Sequence, residues 1–402
     1  MYQLSSDPDF HFEILRVLAL APYEGSDIGE VLIAANQILP KNMESYSGAF
    51  NALADRVQNV SNAIDVTKHP ISARNAFFRA SSYYRSADFF LHGNWSDPRI
   101  YSLWDQQLAA FNSAIALLPT PGERVVLKGN GFDIPIVFYG SGLPGPRPTL
   151  ILCNGYDGSQ EEMYHFVGQA VVQRGWNAIT YEGPGQPTVR REQNLGFIPQ
   201  WEQVVTPVVD YALTRPEVDP VAIGSVGLSF GGWLAPRAAV YEHRLAATLA
   251  VDGLYDFGPF MLNKFGPEMT ALFNSGNATA FNDIMYHILE DPSTSTSTRW
   301  GIQQGLWAFD AATPFEWVSK MQNFNLEGLT QNITMPVFVA SAQNDLFFPG
   351  QAQALAAHLI DVTYHAFTNE EGAGEHCSTG ADVLQNQVML DWFQHIIETI
   401  EG

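Results

Sequence analysis

The chain has 402 residues, enough for a large core and more than one unit, and its 46% hydrophobic content is that of a globular protein rather than a disordered one. Asp+Glu 42 against Lys+Arg 20 leave a net charge of −22. A surface this acidic repels phosphate backbones and anionic lipid, so neither nucleic acid nor a membrane surface is expected as a partner.

No apolar run approaches the roughly 18 residues that span a bilayer. Asp7, Asp9, Glu13 and Arg16 charge the region around the apolar stretch Ile14–Leu20, so no secretion signal is read at the N-terminus. The two cysteines, Cys153 and Cys377, are expected as free thiols, because Cys153 ends a buried strand. That usage fits a reducing, cytoplasmic location.

Residues 1–118 read as helical. Apolar periodicity marks Phe10–Leu20, Asp27–Ile38, Met43–Asn62, Ser72–His92 and Asp97–Leu118, with Ser72 and Asp97-Pro98 as helix starts. The aromatics of Ala73–Phe90 recur at helical spacing and read first as core packing. After Pro119-Thr-Pro-Gly122 the texture changes. Arg124–Lys128 and Ile134–Tyr139 predict a hairpin around Gly129-Asn-Gly131. Short apolar strands follow at Pro148–Cys153, Asn177–Tyr181, Val221–Val226, Leu245–Val251, Val337–Ala342 and Val362–Ala366. Helices at Glu161–Arg174, Gln200–Thr214, Gly231–Glu242, Gln351–Leu359 and Gly380–Ile400 alternate with them. This alternation predicts an α/β fold with a mostly parallel sheet. Between Gly253 and Pro336 no strand pattern occurs, but Glu268–Phe273 and Ala280–Leu289 read as helical. Residues of about 254–335 are therefore a helical insertion at the end of the sheet where ligands bind. Its aromatics, Tyr255, Phe257, Trp307 and Trp317 among them, are expected to divide between a pocket lining and simple core.

Gly227-Leu-Ser229-Phe-Gly231 is a G-x-S-x-G pentapeptide, a weak signal alone. Its placement makes it specific: a buried strand runs into it and a helix opens at Gly231-Gly-Trp233. A strand-to-helix turn there strains the backbone and stands the Ser229 hydroxyl exposed as a nucleophile. Such a hydroxyl needs a base, and the base an orienting carboxylate, in the chain order Ser, acid, His. Asp345, in the loop after the strand Val337–Ala342, is the expected acid, with Asp252 at the end of the preceding strand as its main rival. His376, in the glycine-rich loop Glu371–Cys377, is the expected base. The oxyanion needs two backbone N–H donors. Phe230 should supply one and Tyr156, in the loop Asn154–Ser159, the other. Asp157 beside it is read either as a turn residue or as a substrate contact.

Four segments carry a resemblance: N-G-Y-D-G-S-x-E-E (Asn154–Glu162), Y-E-G-P-G-Q (Tyr181–Gln186), G-L-S-F-G-G (Gly227–Gly232) and G-A-G-E-H-C (Gly372–Cys377). Together they resemble one branch of the α/β-hydrolases, which carries an all-helical N-terminal domain. That branch includes pseudooxynicotine and fungal polyketide-pathway hydrolases. The resemblance covers nearly the whole chain. It implies a helical cap domain at 1–118, a catalytic domain at 119–402 and the triad Ser229, Asp345 and His376. It also implies substrate contacts from the cap, with Arg79, Tyr83, Tyr84 and Arg85 as candidates beside Tyr255 and Trp307 of the insertion. Asp157 falls where one member of the branch has a glutamate that helps carbon–carbon cleavage, and is one methylene shorter.

The function so expected is a serine hydrolase of a hydrophobic, ketide-like or aromatic small molecule, opening a C–C bond beside a second carbonyl. The alternatives are an ester, lactone or thioester hydrolase, a cyclase on the same triad, or a relative that only binds. No cofactor and no metal are expected; the partner is a small-molecule substrate, and homodimerisation is left open.

Overall fold

The computed structural model describes residues 2–401. Its N-terminal part is five helices, α1 (Pro8–Ala19), α2 (Ile28–Ala35), α3 (Met43–Ala63), α4 (Pro70–Asp88) and α5 (Arg99–Ile115). Side chains that terminate the helices explain the boundaries. Asp7 accepts from the N–H groups of Asp9 and Phe10 to start α1, Asp27 from Gly29 to start α2, and Asn42 from Ser45 to start α3. The apolar faces of these helices close on one another around Phe10, Tyr46, Phe50, Tyr83 and Phe90.

The remainder is built on eight strands: β1 (Glu123–Lys128), β2 (Asp133–Tyr139), β3 (Arg147–Cys153), β4 (Asn177–Tyr181), β5 (Val218–Leu228), β6 (Ala247–Val251), β7 (Val337–Ala342) and β8 (Val362–Phe367). They form one sheet in the order β1-β2-β4-β3-β5-β6-β7-β8. From β4 to β8 every pairing is parallel, whereas β2 runs antiparallel to both β1 and β4. Alternate side chains point to opposite faces, as the two-residue period of a strand requires. Ile151 and Cys153 join the core on one face, Leu150 and Leu152 the core on the other. Helices cover both faces, so β4, β6 and β7 are buried throughout, as is β3 from Thr149 on.

The insertion holds five helices, Phe257–Lys264, Pro267–Asn274, Ala278–Glu290, Thr296–Ala308 and Pro314–Met321, where the sequence suggested two helical stretches. The others are short or broken by polar residues, which weakens a periodic signal. Their starts are nonetheless written locally. Asn277, Ser295 and Thr313 each accept from the backbone N–H three residues on. Among the described residues no helix is long and apolar enough to cross a membrane. Cys153 and Cys377 are free thiols.

Candidate active site

The chain order of the sheet places five loops at the carboxyl ends of neighbouring strands, where open α/β sheets bind ligands. These are the loops after β3, β5, β6, β7 and β8. Ser229 lies in the turn between β5 and the helix Gly231–Ala239 with φ of 60°. That is left-handed backbone, unfavourable for a residue with a Cβ. Its N–H donates to Val251 O on β6 (3.0 Å), which pins the strained turn. The turn closes only because Gly227 has no side chain. A Cβ there would sit 1.9 Å from Gly231 O.

The hydroxyl is in a continuous hydrogen-bond chain. Ser229 Oγ is 2.8 Å from His376 Nε2, and His376 Nδ1 is 2.8 Å from Asp345 Oδ1. The neutral imidazole fits this chain with its proton on Nδ1, donated to the carboxylate, and its lone pair on Nε2 facing the serine. Asp345 Oδ1 also accepts the N–H groups of Phe347 (2.8 Å) and Phe348 (3.1 Å). Burial pushes the Asp345 carboxyl up, but His376 and these two backbone donors outweigh it, and its pKa lies below the ordinary value.

Asp252, at the end of β6, stands beside the same imidazole. Its Oδ2 is 3.2 Å from His376 Nδ1 and accepts the Cys377 N–H, while its Oδ1 accepts the Ala342 N–H (2.7 Å). The two aspartates named as rivals thus share one histidine. Burial raises the pKa of Asp252. Burial also opposes a charge on His376, yet Asp345, helped by the Asp252 contact, holds its pKa well above the ordinary histidine value. Left-handed backbone at Ser229, Asp252, Cys377 and Ser378 concentrates strain around this one imidazole.

The loop after β3 packs against the Ser229 turn. A Cβ on Gly155 would come within 2.9 Å of both Leu228 O and Phe230 N, so only glycine allows the approach. Neither the Phe230 N–H nor the Tyr156 N–H donates to any described residue. Gln304 Nε2 donates to Tyr156 O (3.1 Å), which holds this loop from the insertion.

Ser229 and His376 open into a cavity of about 370 Å3. Its walls are mostly apolar and come from three parts of the chain: Phe12 of α1, Leu228 of β5, and Phe257, Met261, Trp300 and Trp317 of the insertion. Phe12 lies near His376, with ring centroids 6.2 Å apart.

One end of the cavity is charged. Arg16 of α1 makes a bidentate pair with Glu162 (2.9 and 2.6 Å) and donates to Asp157 Oδ1 (2.8 Å). Arg85 of α4 reaches the same Asp157 oxygen (3.3 Å) and Glu162 (3.4 Å). Glu13 of α1 lines the cavity beside them. Burial, against the pull of Arg16 and Arg85, pushes its carboxyl up to about 8. Asp157 therefore does border the cavity, but its Oδ1 is committed to two guanidiniums.

Of the other expected substrate contacts, Arg79, Tyr83, Tyr84, Arg85, Tyr255 and Trp307, none lines the cavity. Tyr83 and Arg79 project toward α2, where both donate to Glu30 Oε2 (2.9 and 3.0 Å). The Tyr84 hydroxyl donates to Asp55 on α3 (2.9 Å). Arg85 stands behind the wall, in the charged cluster. Tyr255 stacks on His358 with centroids 4.1 Å apart. Trp307 is sandwiched between His92 (5.3 Å) and the Arg190 guanidinium (4.4 Å). In each case a nearer polar or aromatic partner captured the side chain. Phe12, Glu13, Arg16 and Trp300 were missed. A signal for Glu13 existed: it sits three residues after Phe10 and one before Ile14, on the face that apolar periodicity buries.

No family model matches the chain. The alpha/beta hydrolase psoB of Aspergillus fumigatus is 30% identical to it, over 87% of this chain and 82% of the relative. The chain belongs to the α/β-hydrolase family. This α/β-hydrolase is also 27% identical to the 20-hydroxy-prefusarin hydrolase FUS2 of Gibberella moniliformis, over 98% of this chain and 97% of the relative. Among solved structures, that of 2,6-dihydroxy-pseudo-oxynicotine hydrolase superposes with a TM-score of 0.74 at 20% identity. The match covers 94% of this chain and 95% of that one, and establishes a common fold.

Proposed function

We propose that this α/β-hydrolase is a serine hydrolase of a hydrophobic, ketide-like or aromatic small molecule of secondary metabolism, which opens a C–C bond next to a second carbonyl. The observation that carries the reading is the 2.8 Å chain from Ser229 through His376 to Asp345, opening into a mostly apolar cavity. The prefusarin substrate named for the Gibberella relative supports a ketide-like molecule. Residues 1–118 serve in this reading as a cap on the catalytic part, 119–402, supported by the contribution of α1 to the cavity wall.

Ser229 Oγ attacks the carbonyl carbon while His376 Nε2 takes its proton. The oxygen becomes an anion and receives the Phe230 and Tyr156 N–H groups, both free to donate. Collapse breaks the bond to the leaving carbon, whose electron pair passes onto the neighbouring carbonyl as an enolate. His376 returns its proton to that carbon. Water, deprotonated by the same histidine, then releases the acid from Ser229. A fluorophosphonate should label the parent protein and not Ser229→Ala; labelling that survives the substitution overturns the assignment. Product analysis distinguishes the bond. An acid with a new C–H group means carbon–carbon cleavage, and an acid with an alcohol means ester cleavage by the same residues.

The base works only when neutral. Because the carboxylates hold the His376 pKa above the ordinary value of 6.5, the acid limb of kcat/KM should lie on the alkaline side of that value. Asp252→Asn removes one carboxylate from the imidazole, so this limb should move to lower pH. A pH–rate profile on an activated ester measures both; an unmoved limb would mean that Asp252 does not influence the imidazole.

A further inference from the structure

Glu13 differs from every other charged group around the cavity in having no partner at hydrogen-bond distance. Its Oε2 is buried and unpaired, 3.6 Å from Arg16 Nη1 and 3.8 Å from Arg85 Nη1. Both guanidiniums are already engaged more closely. Arg16 holds Glu162 and Asp157, and Arg85 shares the same two carboxylates. Two cations therefore face two anions, and a third carboxylate would be buried with no cation left to balance it. A carboxyl group in that position keeps its proton, since burying an uncompensated charge costs far more than protonation. Its side chain is 6% exposed, and it lines the same cavity as Ser229 and His376. Phe12, the preceding residue, packs 5.3 Å from Phe347, the residue whose N–H supports Asp345.

We propose that Glu13 is a further catalytic residue, a neutral carboxyl whose O–H donates a hydrogen bond to the second carbonyl oxygen of the substrate. The proposal rests on the serine-hydrolase reading above and specifies the substrate class within it. The molecule carries an oxygen beyond the scissile bond, as a 1,3-dicarbonyl compound does. When the C–C bond breaks, its electron pair moves onto that oxygen, and the Glu13 hydrogen bond strengthens as the negative charge arrives. Glu13 keeps its proton throughout; His376 delivers to carbon the proton it took from Ser229. A neutral carboxylic acid is suited to this because it donates without leaving a buried anion behind. Asp157 and Glu162 cannot substitute, since the oxygens they would offer are already engaged by guanidinium groups at short distance.

The groups that face Glu13 are Arg16 on its own helix, Arg85 on α4, Tyr46 on α3, and Asp157 and Glu162 from the loop and helix after β3. With its pKa pushed up to about 8, the donor is present below that pH and lost above it.

The test compares Glu13→Leu and Glu13→Gln with the parent chain. The probes are dimethylated benzoylacetone, a 1,3-diketone with no acidic hydrogen, and p-nitrophenyl butyrate, whose leaving group needs no second donor. Diketone binding is followed by tryptophan fluorescence in the Ser229→Ala background, and ester turnover and fluorophosphonate labelling in the active protein. Glu13→Leu should weaken diketone binding about tenfold, the loss of one hydrogen bond, and should slow ester turnover by a clearly smaller factor. Glu13→Gln keeps a neutral donor and should bind within about threefold of the parent. In the parent, binding should fall above pH about 8, and in Glu13→Gln it should not. The proposal is overturned by equal losses on ester and diketone, by unchanged diketone binding in Glu13→Leu, or by a pH dependence that survives Glu13→Gln. Absence of diketone binding to any protein overturns it as well. Labelling of Ser229 alongside any of these outcomes leaves the serine-hydrolase reading standing, whereas no labelling of the parent rejects that reading instead.

Discussion

Asp345→Ala is expected to lower kcat by about 10,000-fold, the scale on which loss of the orienting carboxylate acts in such triads. Asparagine at the same position should be much milder, about 100-fold, because of how the carboxylate is held. One oxygen, Oδ1, accepts from His376 Nδ1 and from the N–H groups of Phe347 and Phe348. An asparagine keeps its carbonyl oxygen toward those three donors, so the imidazole retains the tautomer that leaves Nε2 free for Ser229. What disappears is the charge that stabilises the imidazolium. Asp252, with Oδ2 at 3.2 Å from the same nitrogen, carries part of that charge stabilisation. Asp252→Asn alone should therefore cost about tenfold, and the two asparagine substitutions together more than the product of the single losses, as for groups sharing one partner. Steady-state rates on one activated ester supply all four values. A larger loss at Asp252 than at Asp345 would reverse the assignment of the principal acid.

The second large effect concerns stability. Arg16→Met should destabilise the fold by about 3–5 kcal/mol, the cost of removing one partner from a buried charge cluster. Arg16 is 9% exposed by its side chain and holds Glu162 at 2.6 Å and Asp157 at 2.8 Å. Without it, Arg85 alone faces the buried Glu162 and the partly buried Asp157, with Glu13 close by. The cluster bridges α1 and α4 to the loop after β3, so its loss should also loosen the cavity wall. Denaturant unfolding measures the effect, and Glu162→Gln in the same chain should recover part of it by removing the stranded charge. A loss under about 1 kcal/mol would mean that the cluster is hydrated rather than buried.

Function lies unevenly between local pattern and packing. The β-strand runs, the helices between them and the G-x-S-x-G turn are local features. A two-residue or 3.6-residue period, and a glycine at a steric bottleneck, leave their mark within a few positions. Chain order then nominates His376 and, with Asp252 as its rival, Asp345, because a parallel sheet sends each strand-end loop to the same edge. By those means the α/β class, the mostly parallel sheet and the three residues joined by 2.8 Å contacts are legible in the sequence.

The cavity wall was not legible in that way. Tyr83, Tyr84 and Trp307 are large, amphipathic residues in regions near the site, and nothing local distinguishes them from Phe12, Trp300 or Trp317. Which of them meets the cavity depends on how α1 and the insertion helices pack against strands more than a hundred residues away. Glu30 and Asp55 happened to capture the two tyrosines. Asp252 and Asp345 both satisfy the chain order between Ser229 and His376, and that both reach His376 Nδ1 is a property of adjacent parallel strands β6 and β7 in three dimensions. What the amino-acid sequence determined by itself was the scaffold and the nomination of Ser229, Asp345 and His376, since both are encoded by short-range periodicity and order. What only the tertiary structure decided was the second carboxylate on His376 and the neutral acid Glu13 in the wall. Both arise from side chains brought together across the fold, where burial and the count of nearby charges set their chemistry.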